Sequence, residues 1–105
     1  MWATHYIALL KGGHTVSFRP KGNSMRPKIE SGQLVTVVPL PDGRPAKGDI
    51  VLCTVRGKQY LHLVSAVGQD GRLQISNNRG HVNGWVSRES VHGLLTRVEP
   101  AMSTT

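Results

Sequence analysis

Cysteine is almost absent, aromatic residues are few, and acidic residues are outnumbered. A single cysteine in 105 residues leaves no internal disulfide and no cysteine-built zinc site. With no oxidised pair to brace it, the chain fits a reducing, cytoplasmic compartment. A membrane-crossing helix needs about 20 mostly apolar residues. The N-terminal stretch Tyr6 to Leu10 ends at Lys11-Gly12-Gly13, and no basic segment precedes it as in a secretory signal. The sequence therefore reads as having no membrane partner. Two Trp, two Tyr and one Phe give no stacking platform for single-stranded nucleic acid. Charged residues at 18% are too few for a coiled coil and too mixed in sign for a disordered tail. The five histidines show no metal-ligand spacing, and no Gly-rich phosphate loop precedes a helix, so no metal and no other cofactor is expected.

What the chain does have is positive charge and turn residues. Thirteen Lys and Arg against six Asp and Glu give a net charge of +7, which points to an acidic protein or a nucleic acid as partner. Only Arg19, Lys21, Arg26 and Lys28 form a local concentration. Twelve Gly and six Pro break the chain into short pieces. Alternating runs between these breaks predict strands at 15–18, 34–38, 49–55, 59–67, 73–75, 85–86 and 91–98. Arg56-Gly57 or Gly57-Lys58 makes a tight hairpin, and Asp70-Gly71 makes another. The segment Ser76 to Gly84 reads as a polar loop. Helix is limited to a turn or two within residues 1–10 and one turn within 26–31. The reading is a single, mainly β domain of short antiparallel strands over 1–105, with a core of about 14–98 and a tail from 99.

The segment Gly22-Asn23-Ser24-Met25-Arg26-Pro27 carries the most chemistry. Gly22 lets the backbone turn sharply. Ser24 is then presented beside backbone N–H groups while Met25 packs inward. Such a loop supplies a nucleophile and an oxyanion hole. A serine here equally suits capping of the turn that begins near Pro27. In the fourth strand, Tyr60, His62, Val64 and Ala66 share one face, so His62 points away from Leu61 and Leu63 toward a surface or cleft. Cys53, inside the third strand, reads as a buried inert thiol.

In order, Gly-x-Ser-Met-x-Pro, Ser31-Gly32-Gln33-Leu34-Val35, Lys47-Gly48-Asp49-Ile50-Val51, Leu61-His62-Leu63-Val64 and Val91 to Val98 resemble the signal-peptidase and LexA-like serine peptidase superfamily over residues 20–98. The resemblance implies a small β-barrel-type peptidase domain with Ser24 as nucleophile and His62 as general base. Bacterial signal peptidases and LexA-like proteins place a lysine at the base position. The endoplasmic-reticulum-type signal peptidases place a histidine, which this chain is similar to. Those enzymes also carry an acid in a Gly-Asp-Asn box; the matching segment here is Ser76-Asn77-Asn78, which makes Asn77 the orienting residue. Gly22, Asn23 and Met25 are then the oxyanion and substrate-binding positions.

The substitutions have physical consequences. A lysine base must be desolvated to be neutral at pH 7, its ordinary pKa being about 10.4, whereas histidine starts near about 6.5. Replacing an orienting carboxylate by its amide costs about 10⁴ in turnover in the serine-protease template. Two functions follow. One is a stand-alone serine peptidase hydrolysing peptide bonds in a peptide or protein substrate. The other is a catalytically silent member of the fold, kept to bind an acidic protein or a nucleic acid.

Overall fold

The computed structural model describes residues 1–22, 24–41 and 45–100. Among the described residues, seven strands form one antiparallel sheet: β1 (Val16–Phe18), β2 (Leu34–Pro39), β3 (Ile50–Val55), β4 (Lys58–Val67), β5 (Leu73–Ser76), β6 (Val82–Val86) and β7 (Val91–Glu99). Their spatial order is β1-β2-β7-β3-β4-β5-β6, so the last strand of the chain is inserted between β2 and β3. One short helix, α1 (Thr4–Lys11), precedes the sheet, and a single 3₁₀ turn, Arg88–Ser90, leads into β7. No helix among the described residues is long and apolar enough to cross a membrane.

The β-branched residues put strands where alternation predicted them, and the turns lie where glycine permits them. Arg56 and Gly57 both have positive φ, as a two-residue primed hairpin turn requires, which joins Val55 to Lys58. The turn-forming pair Asp42-Gly43, which follows β2 in the sequence, lies outside the described residues. Several strand ends shift from the sequence reading, most by one residue. β7 continues through Glu99, which pairs with Leu34, so the strand runs one residue into the expected tail. The expected loop 76–84 is shorter, because Ser76 belongs to β5 and Val82-Asn83-Gly84 opens β6.

The sheet coils, and successive side chains of one strand enter different cores. Leu52 and Leu61 join Ile7 and Leu10 of α1, Phe18, Val35 and Val37 in a first cluster. Val51, Cys53 and Val64 join Leu73, Ile75 and Val86 in a second. This is period-two alternation applied to strands buried on both faces. In the second half the sheet curls until β6 approaches β3, its neighbour in space but not in hydrogen bonding. A Cβ on Gly84 would lie 3.2 Å from Val55 Cγ1. Gly93 permits a second close approach, since a Cβ there would lie 2.6 Å from Val37 Cγ1 and 3.0 Å from Leu10 Cδ1. The curl has a barrel-like sense, but β1 and β6 remain edge strands.

Candidate functional site

Ser24 is carried by the loop between β1 and β2. Two apolar residues four apart, Met25 and Ile29, are buried in the first cluster, and Ile29 N–H donates to Met25 O at 3.0 Å. A hydrogen-bonded turn, not the helical turn expected within 26–31 because the Arg26-Pro27 peptide bond is cis, is thus pinned by these two apolar side chains, which leaves Ser24, just before it, exposed. The other side of the loop is held by Asn78. Its backbone N–H donates to Ser24 O at 2.9 Å and its Nδ2 donates to Arg26 O at 2.9 Å. Gly22 sits at φ +105°, a conformation that side chains disfavour, and lines the groove beside Ser24. Met25 forms part of the same groove wall. Asn23 lies outside the described residues.

His62 enters from β4 and is only 6% exposed. Its Nε2 is 3.0 Å from Ser24 Oγ, although the two residues are 38 positions apart. The Ser24 hydroxyl is therefore directed at an imidazole. On the far side of the ring, Nδ1–H donates to Asn83 Oδ1 at 2.7 Å. That bond selects the tautomer in which Nε2 carries the lone pair and faces the hydroxyl. Tyr60 packs on the imidazole with ring centroids 4.8 Å apart.

The amide at Nδ1 is Asn83, not the expected Asn77. Asn77 closes its own loop, its Oδ1 accepting from the N–H groups of Arg79 at 2.8 Å and His81 at 2.9 Å. Asn83 reaches the imidazole because of a bulge between β5 and β6. Ile75 faces Gly84 and Ser76 faces Val82, so Asn83 is the extra, unpaired residue. A bulge re-aims one side chain out of the strand's alternation. Gly84, at φ +152°, supplies the backbone conformation next to it. The Asn-Gly pair inside an otherwise apolar segment was the available signal, since an isolated glycine in a strand often marks a bulge.

Burial holds the His62 pKa below its ordinary 6.5, and the charge of His81 pushes the same way, while the Asn83 hydrogen bond opposes them. The ring is thus neutral at neutral pH and able to accept a proton through Nε2. Cys53 lies apart from this chemistry: it is fully buried in the second cluster, and desolvation pushes its thiol up to about 12.

A groove of about 560 Å³ adjoins the pair. Its lining runs from Ser24 and His62 along Leu61, Tyr60 and Gln59 of β4 to Trp2 and Tyr6. β4 carries a second partner, β5, only from Leu63 onward, so Lys58 to His62 pair with β3 alone. A strand edge therefore leads directly to the serine.

A family model described as Peptidase S24-like matches residues 3–92. The chain belongs to the Peptidase S24-like family. The match includes α1, which the resemblance of residues 20–98 left out, and spans every element up to the start of β7. No curated protein and no solved structure gives a significant match. In this Peptidase S24-like domain the chain's own fold places a hydroxyl and an imidazole in hydrogen-bond contact.

Proposed function

We propose that this domain is a serine peptidase working through a Ser24–His62 dyad on an extended peptide. The observation that carries the reading is the 3.0 Å contact between Ser24 Oγ and the unprotonated Nε2 of a buried histidine, within the range of a working nucleophile–base pair. The peptide lies along the edge of β4 next to the dyad, pairing at Leu61 as in strand-addition recognition. Ser24 Oγ attacks the scissile carbonyl, forming the C–O bond while His62 Nε2 takes the hydroxyl proton. Backbone N–H groups at Gly22 and Ser24 hold the oxyanion. The C–N bond then breaks and His62 returns the proton to the leaving amine. A water attacks the resulting ester, His62 takes its proton, the acid is released and Ser24 regains its proton.

Asn83 fixes the tautomer and accepts from Nδ1–H throughout. Being neutral, it stabilises the imidazolium less than a carboxylate does, which makes this a modest catalyst by serine-protease standards. Histidine needs less desolvation than lysine to act at neutral pH, in keeping with a small domain whose groove is open to water.

The test is covalent labelling by a serine-reactive fluorophosphonate. Wild type is expected to label, Ser24→Ala not at all, and His62→Ala far more slowly. Absent labelling, or equal labelling of wild type and Ser24→Ala, overturns the dyad. The amide at the orienting position would then favour the second reading, a silent peptidase fold that binds an acidic protein or nucleic acid.

A further inference from the structure

The backbone of β4 next to the dyad has a definite polarity. The Arg56-Gly57 turn makes Val55 and Lys58 the hydrogen-bonded pair that closes the hairpin, and bonding then alternates along the ladder. Lys58, Tyr60 and His62 turn their N–H and C=O groups toward β3. Val64 continues the series, bonding to Asp49 O and Gly48 N–H on that side. Gln59 and Leu61 must therefore face the groove. One of these groups is already occupied: Trp2 Nε1–H donates to Gln59 O at 3.0 Å. The Gln59 side chain completes the attachment, accepting from Ala3 N–H at 2.8 Å and donating to Thr4 Oγ1 at 3.2 Å.

The N-terminal segment is thus fastened across the open edge, and it delivers aromatic surface there. Trp2 lies 5.6 Å from Phe18 and 6.5 Å from Tyr6, ring centroid to centroid, and Tyr6 stacks on Phe18 at 4.5 Å. Phe18 is buried, whereas Trp2 remains 49% exposed and lines the groove. Met25, Ile29 and Leu61 line it as well. Arg19 and Lys21 stand at the same groove, and among the described residues neither has an ion-pair partner. Glu30, the acidic residue of the lining, is paired with Arg26 at 3.4 Å.

We propose that Trp2 is a specificity-determining residue of this groove, selecting an acidic extended peptide with one large apolar side chain set against the indole. The proposal rests on the peptide-cleaving reading of the site and adds to it the class of substrate. Gln59 and His62 are three positions apart, roughly 10 Å at strand rise, so the apolar side chain lies about three residues from the cleaved bond. Because Trp2 occupies the Gln59 carbonyl, Leu61 is the residue left to pair fully with the peptide backbone, and side-chain contact with the indole must set the register. The positive charges of Arg19 and Lys21 favour acidic neighbours.

The experiment uses the full chain carrying Ser24→Ala, to prevent turnover, and Trp85→Phe, which leaves Trp2 as the only indole. The probes are glutamate-rich decapeptides containing one Phe, the same peptides with Ala in its place, and lysine-rich counterparts with Phe. The acidic Phe peptides are expected to shift Trp2 emission and to bind at least tenfold more tightly than the Ala peptides, with affinity falling as salt rises. Trp2→Ala, followed by anisotropy of labelled peptides, is expected to erase the Phe preference. Equal affinity for Phe and Ala peptides, unchanged Trp2 emission, or equal binding of lysine-rich peptides overturns the proposal. Fluorophosphonate labelling of the Ser24-intact chain reads the dyad separately. Labelling without peptide selectivity sinks Trp2 selection alone, and selectivity without labelling sinks the dyad alone.

Discussion

The half of the sheet under α1 and the half that curls on itself are built differently. The first cluster closes only because a helix and a loop cover it, with Ile7 and Leu10 from α1 and Met25 and Ile29 from the serine loop. The second is formed by strands alone apart from flanking residues, with Val51, Val64, Leu73 and Ile75 fully buried. The Ser24–His62 contact straddles the two. Ser24 is carried by the first cluster's covering loop, whereas Asn83 belongs to a strand of the second, and His62 sits on β4, which serves both. The geometry of the proposed dyad is a matter of how one core is set against the other. The Asn78 bonds to Ser24 O and Arg26 O are a direct tie between the halves.

The largest effect comes from removing the contact that joins them. Ser24→Ala or His62→Ala is expected to lower peptide cleavage by about 10³-fold or more, and the double variant to be little worse than either single one, since the two groups act as a unit. Additive losses in a cleavage assay would show that they do not.

Next come the cores themselves. Ile75→Ala in the second cluster and Met25→Ala in the first should each cost about 2–5 kcal/mol in chemical denaturation, the range for emptying a buried aliphatic site. Their rates should differ. In folded protein, Met25→Ala releases the serine loop and slows fluorophosphonate labelling, whereas Ile75→Ala leaves that loop anchored. Equal slowing would erase the distinction between the halves.

Smaller effects follow from charge. Asn83→Asp puts a carboxylate against Nδ1–H and favours the imidazolium, so the rise of the rate with pH should move upward by about one unit or more. Asn77→Asp, away from the ring, should leave that midpoint in place. Wild-type stability has its own pH dependence. His62 and His92 both have pKa values lowered mainly by burial, so the unfolded chain binds more protons in the window from their folded values up to the ordinary 6.5. Their contribution is present above that window and is lost as pH falls through it. Thermal melts should therefore show lower stability at pH 5 than at pH 7.5, and a flat profile would contradict the burial of these rings.

Most strand positions were legible because β-branched runs and glycine turns agree, as at Leu34 to Val38 and at Arg56-Gly57, whereas the placing of β7 between β2 and β3, a pairing distant in the chain, was not. Ser24 and His62 were legible through the ordered motifs that carry the superfamily resemblance. Asn83 was not. The polar composition of 76–84 disguised the start of β6, and period-two reasoning has no place for a residue that a bulge takes out of alternation. The role of Trp2 was equally hidden, since its bond to Gln59 spans 57 positions and no local pattern announces it.

The bulged residue makes the imidazole's partner depend on chain length. Deleting Val82 or Gly84 would restore a regular ladder and turn the amide away from the ring, while leaving Ser24 and His62 themselves untouched. The spacing of that hairpin, as much as the presence of serine and histidine, therefore sets which tautomer faces the hydroxyl.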